Sequence, residues 1–299
     1  DDEDLGGASA CEGIGWTMAA LLASSAGVPY KLDIQINTAE RYEKFFPGIT
    51  TLGDILLTNG YHNYFMCGSD VSFAGRGDFY LQHGKYTLID LNTARNEGFI
   101  ENYYNNGFWG MEDEKLFKLA EKYLSDISDR YEPFNFTLLT VDTHHIDGYV
   151  CKYCDDQYDE QYANVIACSS RQVYEFVKWI QNQEWYENTS IVIVGDHLSM
   201  QPDFWNDVGG YDRKIYNCFI NMPDDLVPVE TKNRTFTTVD LFPSILAAMG
   251  AEIEGERLGL GVNLFSEERT IPEKIGIDKF NDELGYYSLY YFQHFIAGM

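Results

Sequence analysis

A chain of 299 residues, 45% of them apolar, can bury the core of one large domain, or of one domain with a small appendage. Its 47 acidic and 21 basic residues give a formal net charge of −26, which excludes nucleic acid and bare anionic bilayers as partners unless a metal or a local basic pocket intervenes. Aromatic residues at 15% exclude a disordered chain.

Residues 15–27, GWTMAALLASSAG, predict a helix entered from a glycine-rich turn. TTLGDILLTNGY (50–61) predicts a short helix and HNYFMC a strand after it. DEKLFKLAEKYLSDISD (113–129) is an amphipathic helix, and PFNFTLLTVDT (133–143) a buried strand ending in a polar cluster. Residues 158–183 place Val173, Phe176, Val177 and Ile180 at helical spacing. SIVIVGDH (190–197) is an apolar run stopped by glycine, the pattern of a central parallel strand. YNCFINMP (216–223) is another strand. TTVDLFPSILAAMG (237–250) is a helix opened by Thr and closed by Gly, with Pro243 in its first turns. The aromatic tail, 276–299, is expected to pack on the body or on a partner.

Strands alternating with helices predict an α/β fold, a mostly parallel central sheet with helices on both faces and a small C-terminal appendage. Ligands of such sheets bind beyond the carboxyl ends of the strands. Short acidic clusters such as Asp155-Asp156 and Glu267-Glu268 read as a solvated surface. Sugars, neutral glycans and cations suit it as partners. No apolar run reaches the roughly 18 residues of a membrane helix. The chain opens on DDEDLGG, without Met or a signal peptide, and is expected to be part of a longer protein whose anchor precedes residue 1.

Four groups of residues could carry chemistry. Asp196 and His197 end a hydrophobic strand, where a carboxylate and an imidazole suit Mn²⁺ or Zn²⁺; a helix-capping Asp beside a surface His is the alternative. Thr17 follows Gly13-Ile14-Gly15-Trp16 at a helix start, where free N–H groups favour an anion. Its hydroxyl is either a metal-activated nucleophile or an ordinary N-cap. His144 and His145 follow the strand 133–141 and can bind phosphate, donate a proton or ligate a metal. Arg76, between Gly75 and Gly77, is a phosphate clamp or a surface turn residue. Together they describe phosphoryl or sulfuryl transfer. The six cysteines are at 11, 67, 151, 154, 168 and 218. A zinc knuckle at Cys151-Lys-Tyr-Cys154 would want a second CxxC or a CxxH, which is absent, so a disulfide among Cys151, Cys154 and Cys168 is expected, with free thiols as the alternative. Cys218 is expected in the core.

Three ordered blocks, GxGWTxAxLxASxxGxP (13–29), VDTHHxDGY (141–149) and IVIVGDHLSM (191–200), resemble the phosphoglycerol transferases and lipoteichoic acid synthases, in the sulfatase-like branch of the alkaline phosphatase superfamily. Residues 238–266 resemble the segment that closes the domain in this family, so the resemblance implies a catalytic domain over 1–266, without its first strand, and an extension over 267–299.

The resemblance also implies a chemistry. Thr17 would attack the phosphate of phosphatidylglycerol and carry phosphoglycerol covalently until a glycan or polymer hydroxyl takes it. Thr17, Asp196 and His197 would hold one Mn²⁺-like ion, with Zn²⁺ or Mg²⁺ as alternatives. Arg76, in FAGR, and His144, with His145 beside it, would contact the head group. The enzyme would work at the extracytoplasmic face of a bacterial membrane. The family's remaining ligand, a Glu in an LESL-like stretch tens of residues before the nucleophile, has no counterpart here and is expected before residue 1. Ile146 replaces a frequent Pro, Ala74 a Trp, and Cys67 sits near a second substrate-contacting His. Sulfatase activity is not expected, because no C/S-x-P/A-x-R surrounds Thr17. Phosphoethanolamine transfer, phosphodiester hydrolysis and a non-catalytic binding domain are the alternatives.

Overall fold

The computed structural model describes residues 6–32, 44–206 and 210–299. They divide into two compact units, one of Asp1–Leu52, Glu187–Leu198 and Tyr211–Met299, the other of Gly53–Tyr186 and Ser199–Gly210.

The second unit holds a parallel sheet. Strands β1 (His62–Cys67), β2 (Thr87–Ile89) and β3 (Phe134–Leu139) lie in the order β2-β1-β3, with Tyr64 opposite Thr87 and Phe136. Side chains alternate across a strand, so β1 serves two cores. Tyr64 and Met66 pack with Leu116, Leu119, Ala120 and Ile127 of the helix Asp113–Ser128. Phe65, pointing the other way, stacks on Tyr80 of the helix Arg76–Gln82 at 4.1 Å. Helices therefore cover both faces, as the alternation of elements predicts. Buried Asn63 is satisfied on the Phe65 side by the Gly53 and Gly84 carbonyls at 2.9 and 2.8 Å. The helix Gln161–Gln181 adds Phe176 to the core through a 4.9 Å ring contact with Phe117.

In the other unit, the helix Thr17–Ala26 ends at Gly27, whose φ of 65° carries the turn. A Cβ on Gly27 would sit 2.6 Å from the Leu258 carbonyl oxygen, so the packing as well as the dihedral requires glycine. The predicted helix 237–250 opens on a capping box, Thr237 with Asp240, runs through a 3₁₀ turn and continues as Leu241–Ala248. Pro243 is its third residue, where no intrahelical N–H is needed. Tyr291 of the tail is buried and donates its hydroxyl to the Pro29 carbonyl, so the tail packs on its own unit. Among the described residues, no helix is long and apolar enough to cross a membrane.

Two expectations need correction. The run 190–197 forms β4 (Ile191–Val194), which pairs antiparallel with β5 (Asn217–Ile220) rather than lying parallel in a sheet centre. An apolar run reports burial and not the direction of its partner, and even the burial is partial, with Val194 38% exposed. Cys218, on β5, is only half-buried.

Candidate active site

Thr17, Asp196 and His197 come together within one unit. The N-cap is Trp16, which makes no side-chain capping bond, and Thr17 is the first helical residue. The hydroxyl of Thr17 does not cap the helix but donates to Asp196 Oδ2 at 2.8 Å, across 179 residues of sequence. No acidic side chain occupies the first turn, and the first intrahelical bond is from Ala20 to the Trp16 carbonyl, so the N–H groups before it remain available to an anion. Of the two glycines before Thr17, Gly13 is the one the backbone requires, with φ 77° and Pro29 Cβ 2.8 Å from where a Cβ would stand. Gly15 has open space around it.

Asp196 is held by the His197 N–H, which donates to Oδ1 at 2.9 Å. His197 Nδ1 lies 2.8 Å from the Leu198 carbonyl oxygen. A carbonyl only accepts, so that contact puts a proton on Nδ1, and the neutral form of the ring then offers its lone pair at Nε2. Nε2 lies 3.3 Å from Asp196 Oδ2, so in the neutral ring an imidazole lone pair and a carboxylate oxygen stand side by side as a pair of ligand atoms. Two ligands about 2.1 Å from one tetrahedral ion stand about 3.4 Å apart, so the separation fits a shared metal. Among the described residues, no third carboxylate, imidazole or thiol joins Asp196 and His197.

Arg76, His144 and His145 belong to the other unit. Arg76 is buried; its Nε donates to the Phe73 carbonyl at 3.1 Å and its Nη2 to Ser69 Oγ and the Asp70 carbonyl, both at 2.9 Å. Among the described residues no carboxylate forms an ion pair with it. His144 stacks on His145 at 4.6 Å and meets the Trp109 ring at 4.4 Å in a tilted contact. Trp109 in turn meets Phe73, and the Arg76 guanidinium lies 5.5 Å from the Phe73 ring centre. One aromatic chain thus joins the arginine to the histidine pair. Sequence reasoning missed Trp109, whose setting Gly107-Phe108-Trp109-Gly110 carries no signal except an aromatic flanked by glycine.

The sulfatase family model matches residues 26–251, a stretch that starts after Thr17 and contains the other five candidates. The chain belongs to the sulfatase family. Its relatives include phosphoglycerol transferase I of Xanthomonas axonopodis pv. citri (strain 306), 32% identical over 250 residues, 81% of this chain and 35% of that one. Phosphoglycerol transferase I of Salmonella choleraesuis (strain SC-B67) is 31% identical over 260 residues, 85% and 33% of the two chains. The chain thus spans about a third of the length of these relatives. In fold it is similar to an alkaline phosphatase superfamily protein from Vibrio parahaemolyticus, with TM-score 0.66, 20% identity and coverage of 89% of this chain and 62% of that one. The lipoteichoic acid synthase LtaP of Listeria monocytogenes gives TM-score 0.64 at 16% identity, over 85% and 65%.

The sulfatase-family chain positions its histidine pair with a buried carboxyl clamp. Asp113 accepts the backbone N–H groups of Val141 at 2.7 Å and Asp142 at 3.1 Å, and its own N–H donates to Asp142 Oδ1 at 3.1 Å. Asp142 Oδ2 is buried without a hydrogen-bond partner among the described residues. Burial pushes Asp142 up to about 8, reinforced by the Asp113 charge, and burial lifts Asp113 itself to about 6. Both folded values exceed the unfolded value of about 3.9. The folded state therefore binds more protons, and the pair's contribution to stability falls as pH rises from about 4 to about 8. Asp142→Asn keeps the acceptor for the Asp113 N–H and removes the charge. Its thermal midpoint should exceed the parent's by at least about 4 °C at pH 8, and the difference should shrink on acidification and close below about pH 4. A pH-independent difference would show that the carboxyl does not titrate in this window.

Proposed function

We propose that this chain is the catalytic part of a metal-dependent phosphoglycerol transferase. It would move phosphoglycerol from phosphatidylglycerol to a glycan or polymer at the extracytoplasmic face of a bacterial membrane, to which an anchor outside this chain holds it. The observation that carries the reading is the Thr17 hydroxyl bonded to Asp196 Oδ2 at 2.8 Å, at the uncapped start of a helix and beside His197. A structural N-cap does not account for that bond. The similarity to phosphoglycerol transferase I supports phosphoglycerol as the group transferred.

Asp196, His197 and Thr17 would hold the metal, Mn²⁺ in the first instance, with Zn²⁺ or Mg²⁺ as alternatives. Once bound, it supplies Lewis acidity that lowers the pKa of a hydroxyl and offsets phosphate charge. Thr17 Oγ1 forms a bond to the donor phosphorus, the bond from phosphorus to the diacylglycerol oxygen breaks, and the proton of Thr17 ends on diacylglycerol. Asp196 Oδ2, which already accepts that proton in a hydrogen bond, orients the nucleophile for attack. The helix N–H groups favour the phosphate oxygens. Arg76, His144 and His145 are assigned to binding the phosphate of the head group, Arg76 as a buried cation whose described hydrogen bonds go to carbonyl and hydroxyl oxygens. In the second half, an acceptor hydroxyl displaces Thr17 from phosphorus and returns a proton to it.

The test is incubation with phosphatidylglycerol labelled in its terminal glycerol, with Mn²⁺ present. Label should appear on the peptide containing Thr17, with one diacylglycerol released per label. Labelling from phosphatidylethanolamine alone would reassign the donor. Head-group release with no covalent label would make the chain a hydrolase. Neither label nor release would favour a non-catalytic binding domain.

A further inference from the structure

The three cysteines of the sheet-bearing unit come together as thiols. Cys151 and Cys154 occupy one turn, closed by the Cys154 N–H on the Cys151 carbonyl at 3.1 Å, and Cys168 projects from the helix Gln161–Gln181. Cys151 Sγ stands 3.7 Å from Cys168 Sγ and also 3.7 Å from Cys154 Sγ, and all three sulfurs lie within 4.8 Å of one another. A disulfide would use two of these sulfurs and leave the third over. Three sulfurs around one centre match something else: Zn²⁺ with four ligands, and sulfur at about 2.3 Å, sets neighbouring sulfurs about 3.8 Å apart.

The surroundings fit the same chemistry. The Tyr153 N–H donates to Cys151 Sγ at 3.4 Å. Gln172, one turn beyond Cys168, aims its amide N–H group at Cys151 Sγ (3.7 Å) and Cys168 Sγ (3.6 Å). Donors directed at sulfur stabilise a thiolate and orient it as a ligand. Cys151 and Cys168 are buried at 5% and 1% exposure, whereas Cys154 is half-exposed and leaves that side open to water.

We propose that Cys151, Cys154 and Cys168 form a thiolate site for a thiophilic divalent cation such as Zn²⁺, with water as the fourth ligand. On binding, each thiol gives its proton to solvent and no electron is transferred. The pattern searched for in the sequence, a second CxxC or CxxH, is replaced by one cysteine from a helix. An ion held there bridges two segments of this unit. It ties the turn at 151–154, which follows the His144-His145 segment, to the long helix. Tyr162 of that helix already donates its hydroxyl to the Thr143 carbonyl at 2.9 Å.

Cobalt substitution tests this directly and separates it from the site at Asp196 and His197, which has no sulfur. The protein is purified with reductant, stripped of metal and titrated with Co²⁺ in an Asp196→Asn background. A thiolate-to-cobalt charge-transfer band should saturate at one ion per chain, and Zn²⁺ should abolish it by displacement. Cys168→Ser should weaken binding at least about a hundredfold, while Cys11→Ser leaves the band unchanged. Absence of the band from the parent protein overturns the site without relying on any variant's folding. So does finding, in protein purified without reductant, a Cys151–Cys154 or Cys151–Cys168 disulfide in place of retained zinc.

Discussion

Thr17→Ala should abolish covalent labelling by glycerol-labelled phosphatidylglycerol and lower transfer by at least about a thousandfold, the scale on which removal of an activated nucleophile acts. Thr17→Ser, which keeps a hydroxyl at the same place, should retain measurable labelling. The structural cost is small. Thr17 is half-buried at the first helical position and its side chain makes one bond, to Asp196. Losing one hydrogen bond to a charged acceptor costs about 1.5–3 kcal/mol, and Ala has the higher helix propensity. The variant should therefore fold, with unchanged circular dichroism, and any loss of activity reports on chemistry. Full transfer by Thr17→Ala would dismiss the covalent route and return Thr17 to a structural role.

Asp196→Asn should separate metal binding from folding. The carboxylate Oδ2 faces the Thr17 hydroxyl at 2.8 Å and His197 Nε2 at 3.3 Å. An amide there keeps an acceptor for the His197 N–H while turning its NH₂ toward Nε2. It removes the negative charge a cation needs. Mn²⁺ affinity, read by calorimetry or by the resonance of free Mn²⁺, should fall at least about a hundredfold. The metal-free variant should still fold, with unchanged circular dichroism, and lose no more stability than the Thr17 hydrogen bond supplies, about 1.5–3 kcal/mol. In the parent, Mn²⁺ at a hundred times its dissociation constant should add about 2.7 kcal/mol of stability; in the variant this gain should vanish. Equal Mn²⁺ affinity in both proteins would remove Asp196 from the metal site.

How far these residues are legible in the sequence depends on the range of the interaction. The helices at 113–129 and 158–183 are visible because helical periodicity repeats within a few turns, and the structure places them at Asp113–Ser128 and Gln161–Gln181. Asp196 and His197 are visible as polar residues stopping an apolar run. The three sequence blocks also carry the family, and the match over 26–251 contains the second and third of them and the last residues of the first. Thr17 is different: its local sequence is equally that of a cap, and only Asp196, distant in the chain, shows what its hydroxyl does.

The sequence by itself determined most of the longer helices and strands, though not β2 or the helix Arg76–Gln82, together with the α/β class, the family and the identities of the candidate residues, because each rests on local pattern or on ordered motifs. Tertiary structure decided the rest. It set the antiparallel direction of β4, placed Trp109 between Phe73 and His144, and brought Cys168 to Cys151 and Cys154. It also turned the Thr17 hydroxyl away from its own helix and onto the carboxylate beside His197. Each of these is a contact between segments far apart in the chain. Such contacts depend on how whole elements pack, which no local periodicity encodes.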